Sequence, residues 1–339
     1  MSSVSGHAVR DIRADPFGER WTPHSRCKQL LGGRFRFESE SAALLDLVEA
    51  AYGGLPAHRL PAASPEFRIE LRLLPERSLL PTSEPPPVRM QFGAGLICGV
   101  VDASNYVVIT PDRRQALVVA SEDMLGFPYH LRYELIEFAV FILATRGLGL
   151  VPLHGACVGR DGRGVLLLGD SGAGKSTLAL HSLLHGLDFL AEDAVLVQPE
   201  NLLATGVANY LHVKDDALHF VDDAPARQWI SDAPVIQRRS GAEKFEADLR
   251  QGPGRLAMAP LQLVGAVLLS SRVADDPAAL LHPVPDEEVA ARLSADQPYA
   301  AAQPGWPDFQ QRLLHVGVHE LRRGRHPRAS VEAVRHLLG

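Results

Sequence analysis

Cysteine is scarce in this chain of 339 residues: there are three, Cys27, Cys98 and Cys157, far apart and without a C-x-x-C pair. They cannot all pair within one chain, which excludes a disulfide framework and fits reduced thiols in a cytoplasmic compartment. Long apolar runs are missing too. The greasiest stretch, Leu135 to Leu153, is interrupted by Glu137, Arg146 and Pro152, so it reads as a buried helix and not as a membrane span. The polar opening segment, MSSVSGHAVRDIRADPFGER, lacks the apolar centre of a signal peptide. A net charge of −6 and a pI near 6.2 offer no general attraction to nucleic acid or to an anionic membrane. Lysine is the rarest charged residue. Four of the 34 basic residues are lysines (Lys28, Lys175, Lys214 and Lys244), so a lysine inside a motif owes little to composition.

What is present divides the chain into two expected domains, residues 1–126 and 127–339. The first holds short β-like runs, Phe67 to Leu73, Val88 to Phe92, Leu96 to Val101, Tyr106 to Ile109 and Ala116 to Ala120, with a Pro/Ser-rich break at Pro81 to Pro87. It forms no catalytic constellation and suits either a recognition or oligomerisation module or a structural cover. From Tyr129 to Arg146, apolar residues recur at three- and four-residue spacing (Leu131, Leu135, Phe138, Ala139, Ile142, Leu143), which predicts a helix with one buried face. Val151 to Val158 and Val165 to Leu168 read as a hairpin about the Gly159–Gly162 turn, Ser176 to His185 as a helix stopped by Gly186, and Phe189 to Val197 as a buried strand carrying two acids. A strand at Leu263 to Leu269 and a closing helix at Ala329 to Leu338 follow.

The chemistry concentrates between an apolar strand and a helix. Gly169, Asp170, Ser171, Gly172, Ala173, Gly174, Lys175 and Ser176 satisfy G-x-x-x-x-G-K-[ST], with Thr177 following in the first turn of the helix. Glycines let backbone N–H groups turn inward around phosphate oxygens, and the helix N-terminus adds partial positive charge. Lys175 is positioned in such a loop to reach the β- and γ-phosphates, and the Ser176 hydroxyl to hold Mg²⁺. ATP with Mg²⁺ is therefore the expected ligand pair. The bland alternative is a glycine turn closing an ordinary strand-to-helix connection.

The stretch LLLGDSGAGKSTLALHSLLHGLDFLAEDAV, preceded by LHGACV, resembles the catalytic core of HPr kinase/phosphorylase, a fold akin to phosphoenolpyruvate carboxykinase. His154-Gly155, the GDSG form of the loop, and the acidic pair Glu192-Asp193 carry the resemblance, which is tight from Leu153 to Val197 and absent from the N-terminal part. It implies an α/β fold with a mixed sheet in the P-loop domain, before which the short β-like runs read as a small β-rich domain. It places Glu192 as the base toward an acceptor hydroxyl, Asp193 beside Ser176 at the metal, and His154 beside the transferred phosphate. The family has aspartate where this chain has Glu192, which lengthens the reach of the base by one bond. Lys244, with Lys214, Arg238 and Arg239, is a candidate phosphate or acceptor contact, since phosphoryl transfer needs positive charge around the equatorial oxygens. Each also reads as a solvated loop charge. His181 and His185, four apart on a helix, read as a solvated face because no third metal ligand accompanies them.

The resemblance implies an ATP-dependent kinase acting on a hydroxyl, a serine of a protein or peptide first and a free small molecule (amino acid or sugar) second. The family's second signature after the acidic strand has no clear counterpart, which argues against the reverse reaction. A nucleotide-binding regulatory module without catalysis is the alternative from another class. Nucleic acid and membrane are not expected partners, and a homo-oligomer stays open.

Overall fold

The computed structural model describes residues 23–61, 64–75, 84–276 and 279–339. The polar opening segment and the part of the Pro/Ser-rich break before Glu84 lie outside them. Alternation of charge and bulk builds the first sheet. In β2 (Gly33–Ser39), Phe35 and Phe37 are buried while Arg34 and Arg36 face out, and β2 pairs antiparallel with β1 (His24–Leu30). Helix α1 (Ala42–Tyr52) follows, its N-terminus capped by the Ser41 hydroxyl, which accepts the Leu44 N–H. Then come β3 (Glu66–Leu74), β4 (Arg89–Gly93), β5 (Leu96–Val100), β6 (Tyr106–Thr110) and β7 (Gln115–Ser121). The sheet order is β1-β2-β3-β7-β6-β5-β4, parallel at β2/β3 and β3/β7 and antiparallel elsewhere. The five expected β-like runs correspond to β3 to β7. The hairpin β1/β2 and α1 were not expected.

Helix α2 covers residues 128–148, and its middle, Leu131–Glu137, is a π-helix. Leu131, Leu135, Ala139, Ile142 and Leu143 are buried, and they share one core with α1 and the first sheet. Gly149, at φ 65, ends the helix in the left-handed conformation that a Cβ penalises.

The second unit is a mixed ten-stranded sheet: β8 (Val151–Leu153), β9 (Ala156–Arg160), β10 (Arg163–Leu168), β11 (Asp188–Ala191), β12 (Val195–Gln198), β13 (Leu203–Gly206), and the later strands β17 (Arg255–Leu256), β18 (Leu261–Val273), β19 (Leu281–Pro283) and β20 (Val318–Arg323). Three more strands, β14 (Tyr210–Val213), β15 (Val235–Gln237) and β16 (Glu243–Asp248), form a small antiparallel sheet beside it. Strand β10, RGVLLL, lies between β9 (antiparallel) and β18 (parallel) and is buried from Gly164 onward because its Val165 and Leu167 face one core and Leu166 and Leu168 the other. Helices α3 (Lys175–Leu184) and α8 (Pro327–Leu338) cover one face; α5 (Asp286–Asp296), α6 (Pro298–Ala301) and α7 (Trp306–Val316) cover the other, while α4 (Ala224–Ser231) packs on β16.

Two expected strands are broken. Val151 to Val158 is two strands, β8 and β9, interrupted at His154-Gly155, and only β9 makes the hairpin with β10. Phe189 to Val197 is likewise β11 and β12, interrupted at Glu192, Asp193 and Ala194. Strands β9 and β11 pair with each other on one side of the sheet, β8 and β12 on the other. So few residues link the halves that the sheet must curl until these ends lie side by side, with both breaks at one place.

Candidate active site

At the end of β10 the backbone turns through Gly169 (φ 138), Gly172 (φ 84) and Gly174 (φ 102) into α3. A Cβ on Gly169 would lie 2.9 Å from the Leu269 carbonyl oxygen, so the close approach of β18 demands glycine there. Around Gly172 and Gly174 a Cβ would meet nothing within 4 Å, so there the positive φ and not crowding favours glycine. The Lys175 ammonium sits in the loop, donating to the carbonyls of Gly169 (2.7 Å) and Asp170 (3.1 Å). Burial pushes its pKa down, against the pull of Asp193 and Asp170. A cavity of about 760 Å³ opens beside the loop, lined by Ser171 through Thr177 and, across it, by Asp193, Lys214, Arg238 and Lys244. Inward-facing glycines, a lysine whose present partners are only carbonyls, and a cationic opposite wall fit a nucleotide triphosphate. Ser176 and Asp193 line that same cavity and fit a hard cation by donor type.

The acidic pair falls in the break between β11 and β12, so the alternation of a strand does not force Glu192 and Asp193 to opposite faces. Asp193 has φ 62, a left-handed conformation that aspartate tolerates better than most residues. Its carbonyl ties the two breaks together, accepting from the Gly155 N–H at 3.3 Å and lying 3.1 Å from His154 Nδ1. Gly155 has no room for a side chain: a Cβ would stand 2.8 Å from the Leu167 carbonyl oxygen. Gln297 clamps the same turn from α5's end, accepting from the His154 N–H (2.7 Å) and donating to the His154 carbonyl (3.0 Å). His154 thus stands exposed at the junction, its backbone held on both sides.

Glu192 is 8% exposed. Its Oε2 accepts the His212 N–H at 2.9 Å, while Oε1 is buried with no hydrogen-bond partner. His212 lies between two carboxylates, 3.6 Å from Glu192 and 3.3 Å from Glu246. Burial opposes its protonation, but hydrogen bonds to these two acids outweigh it and raise its pKa to about 9. Glu246 is bound in turn by the buried Arg132, whose other end meets Glu137 at 2.5 Å. Burial alone would raise the Asp193 carboxyl; Arg238, 3.0 Å away, then His212 and Lys244, hold it below the usual range. Arg238 also lies over the Tyr133 ring at 5.2 Å. Ligand atoms of Glu192, Asp193 and His212 fall within 4.8 Å of one another, yet a His212 protonated at neutral pH opposes a cation among the three.

Several expected positions are displaced. Arg239 faces away from the phosphate cavity and grips the first unit, bonding Glu134 (2.6 Å), Glu84 (2.8 Å) and the carbonyls of Pro85 and Pro86. His181 is not on a solvated face. It is buried between His185 and His326, and burial followed by repulsion from those two rings lowers its pKa to about 4. His212, Gln297 and Arg132 escaped the sequence reading. His212 lies two residues before Lys214, but nothing in the sequence pairs it with Glu192 or Glu246.

A second cavity, of about 460 Å³, meets the first at His154, Asp193, His212 and Arg238. Glu192 lines it, and its walls come from both units of the chain. Neither a known protein family nor a curated protein matches the sequence. Among solved structures, the Hpr(Ser) kinase/phosphatase from Coxiella burnetii aligns over 55% of this chain and 94% of its own, at 14% identity and a TM-score of 0.29. A likeness so distant carries no argument about activity. Among the described residues no helix is long and apolar enough to cross a membrane.

Proposed function

We propose that the chain is an ATP-dependent phosphotransferase that moves the γ-phosphoryl group to a hydroxyl. The observation that carries this reading is Glu192: a buried carboxylate with one oxygen unpartnered, lining the second cavity beside Asp193, where that cavity meets the one at the glycine-rich loop. A module that only bound nucleotide would have no need of such a group at that place.

In this reading the Gly169–Ser176 loop and Lys175 bind the phosphates of ATP, with Thr177 and Lys244 at the edges of the same cavity. Ser176 and Asp193 would hold Mg²⁺, which when bound supplies neutralising charge to the phosphates. The acceptor hydroxyl enters from the second cavity. Its oxygen forms a bond to the γ-phosphorus as the bond to the bridging oxygen of ADP breaks, and its proton passes to Glu192 Oε1. His212 fixes Glu192 through its backbone N–H and keeps positive charge near it. Arg238 steadies Asp193 and offers its guanidinium to the equatorial oxygens. Residues 127–339 carry the chemistry, and Leu31 and Tyr52 of the first domain wall its acceptor side. A serine hydroxyl on a protein or peptide and the hydroxyl of a free compound both satisfy this mechanism.

The test is incubation of the purified chain with γ-labelled ATP, Mg²⁺ and a panel of hydroxyl acceptors, read by mass spectrometry. Transfer to at least one acceptor, lost in Lys175→Ala and in Glu192→Gln, is the expected result. Tight nucleotide binding with no transfer to any acceptor would leave the regulatory module as the better account.

A further inference from the structure

The second cavity is apolar where the first is charged. Tyr52, Phe138, Phe141, Leu196, Val207 and Tyr210 wall it; His154, Asp193, His212 and Arg238 stand at the junction with the nucleotide cavity, and Arg132 and Asn209 both bond Glu137 in its lining. Two guanidinium groups line it and both are engaged: Arg132 by Glu137 and Glu246, Arg238 by Asp193. Arg238 stands at the nucleotide end of the cavity, so the rest of the described lining leaves no unpaired guanidinium or ammonium for a carboxylate or phosphate on the acceptor. The outer end is marked by exposed Asp296, Pro298 and Tyr299, and the inner end by buried Leu31 and Tyr52.

We propose that this cavity binds the acceptor, and that the acceptor is a free alcohol with an uncharged, apolar body of aromatic size. The inference rests on the kinase reading above and adds the substrate class to it. Two observations favour a small molecule over a serine within a polypeptide. Glu192 is 8% exposed and its free oxygen buried, so the hydroxyl must travel through the cavity to reach it. A serine within a chain brings N–H and C=O groups on both sides, which the apolar walls leave unsatisfied. A cavity of about 460 Å³ is also in the range of small-molecule sites. The reaction balances as written above: the alcohol becomes a phosphate monoester, ATP becomes ADP, and the proton leaves through Glu192.

The experiment compares 2-phenylethanol, glycerol, free serine and a heptapeptide with a central serine as acceptors for γ-labelled ATP with the full chain. Transfer to 2-phenylethanol should exceed that to glycerol and serine by about 10–200-fold in kcat/KM, the discrimination an apolar pocket achieves. Val207→Trp, which fills the cavity from its wall, should raise the KM for 2-phenylethanol by about tenfold or more. Val207→Phe replaces it should the larger side chain prevent folding, as judged by circular dichroism. Labelling of the peptide at a rate equal to or above that of 2-phenylethanol overturns this inference and leaves the kinase reading standing. An unchanged KM in a folded Val207 variant also overturns it. Absence of transfer to all four compounds, with MgATP still bound, overturns both.

Discussion

Arg238 Nη2 lies 3.0 Å from Asp193 Oδ2, and the same guanidinium lies over the Tyr133 ring, so one side chain joins the acidic bend to helix α2. The pair spans the junction of the two cavities. Arg238→Ala should lower phosphoryl transfer by about 10²–10³, the cost of losing one positioned donor. Initial rates at saturating ATP measure it, and a rate within twofold of the parent would remove Arg238 from the machinery.

Lys175→Ala should abolish ATP turnover and weaken nucleotide binding, because water cannot replace a positioned ammonium at the phosphates. Its carbonyl partners, Gly169 and Asp170, keep the loop's shape without it through the Ala173 N–H to Asp170 O bond at 3.1 Å. Titration calorimetry with an ATP analogue reads the binding half, and undiminished turnover would end the assignment.

Glu192→Gln should leave nucleotide binding near normal while transfer falls by about two to four orders of magnitude, the usual loss for a positioned base. Glutamine keeps an oxygen to accept the His212 N–H but cannot take the acceptor's proton. Collapse of binding together with rate would make Glu192 a structural residue and shift the base to Asp193.

Excess chelator should stop turnover, and Ser176→Ala should raise the Mg²⁺ concentration needed for half-maximal rate, since one oxygen ligand disappears. Full activity in chelator contradicts the assignment of Ser176 and Asp193.

His181 should make the fold sensitive to acid. Its pKa is depressed to about 4 in the folded chain against 6.5 for a free histidine, so the unfolded chain binds the proton first. The stability it supports is complete above about pH 6.5 and declines as pH falls toward 4. His181→Leu should flatten that part of the curve in urea unfolding at several pH values. An identical pH slope in parent and variant refutes it.

The sequence disclosed the parts of the site that are contiguous. The glycine-rich loop is legible because its glycines, lysine and serine are contiguous in one turn of backbone, and the short strands of the first sheet because alternation is local. The breaks at His154-Gly155 and at Glu192 to Ala194 were hidden, since apolar residues continue on both sides and only the curl of the sheet requires the chain to change places there. The π-helix at Leu131–Glu137 has no local signature. The chain of charges from Glu137 through Arg132 and Glu246 to His212 and Glu192 was out of reach for another reason. Its members lie on α2, β16, β14 and the acidic bend, and they meet only because these four parts of the chain fold together.

Asp193 meets two demands that are independent of each other. Its φ of 62 favours glycine, asparagine and aspartate, and its place opposite Arg238 requires a carboxylate. Glycine satisfies the backbone and fails the charge; glutamate does the reverse. Asparagine keeps the backbone and an oxygen for the Arg238 N–H but gives up the charge, so aspartate alone answers both demands at this position.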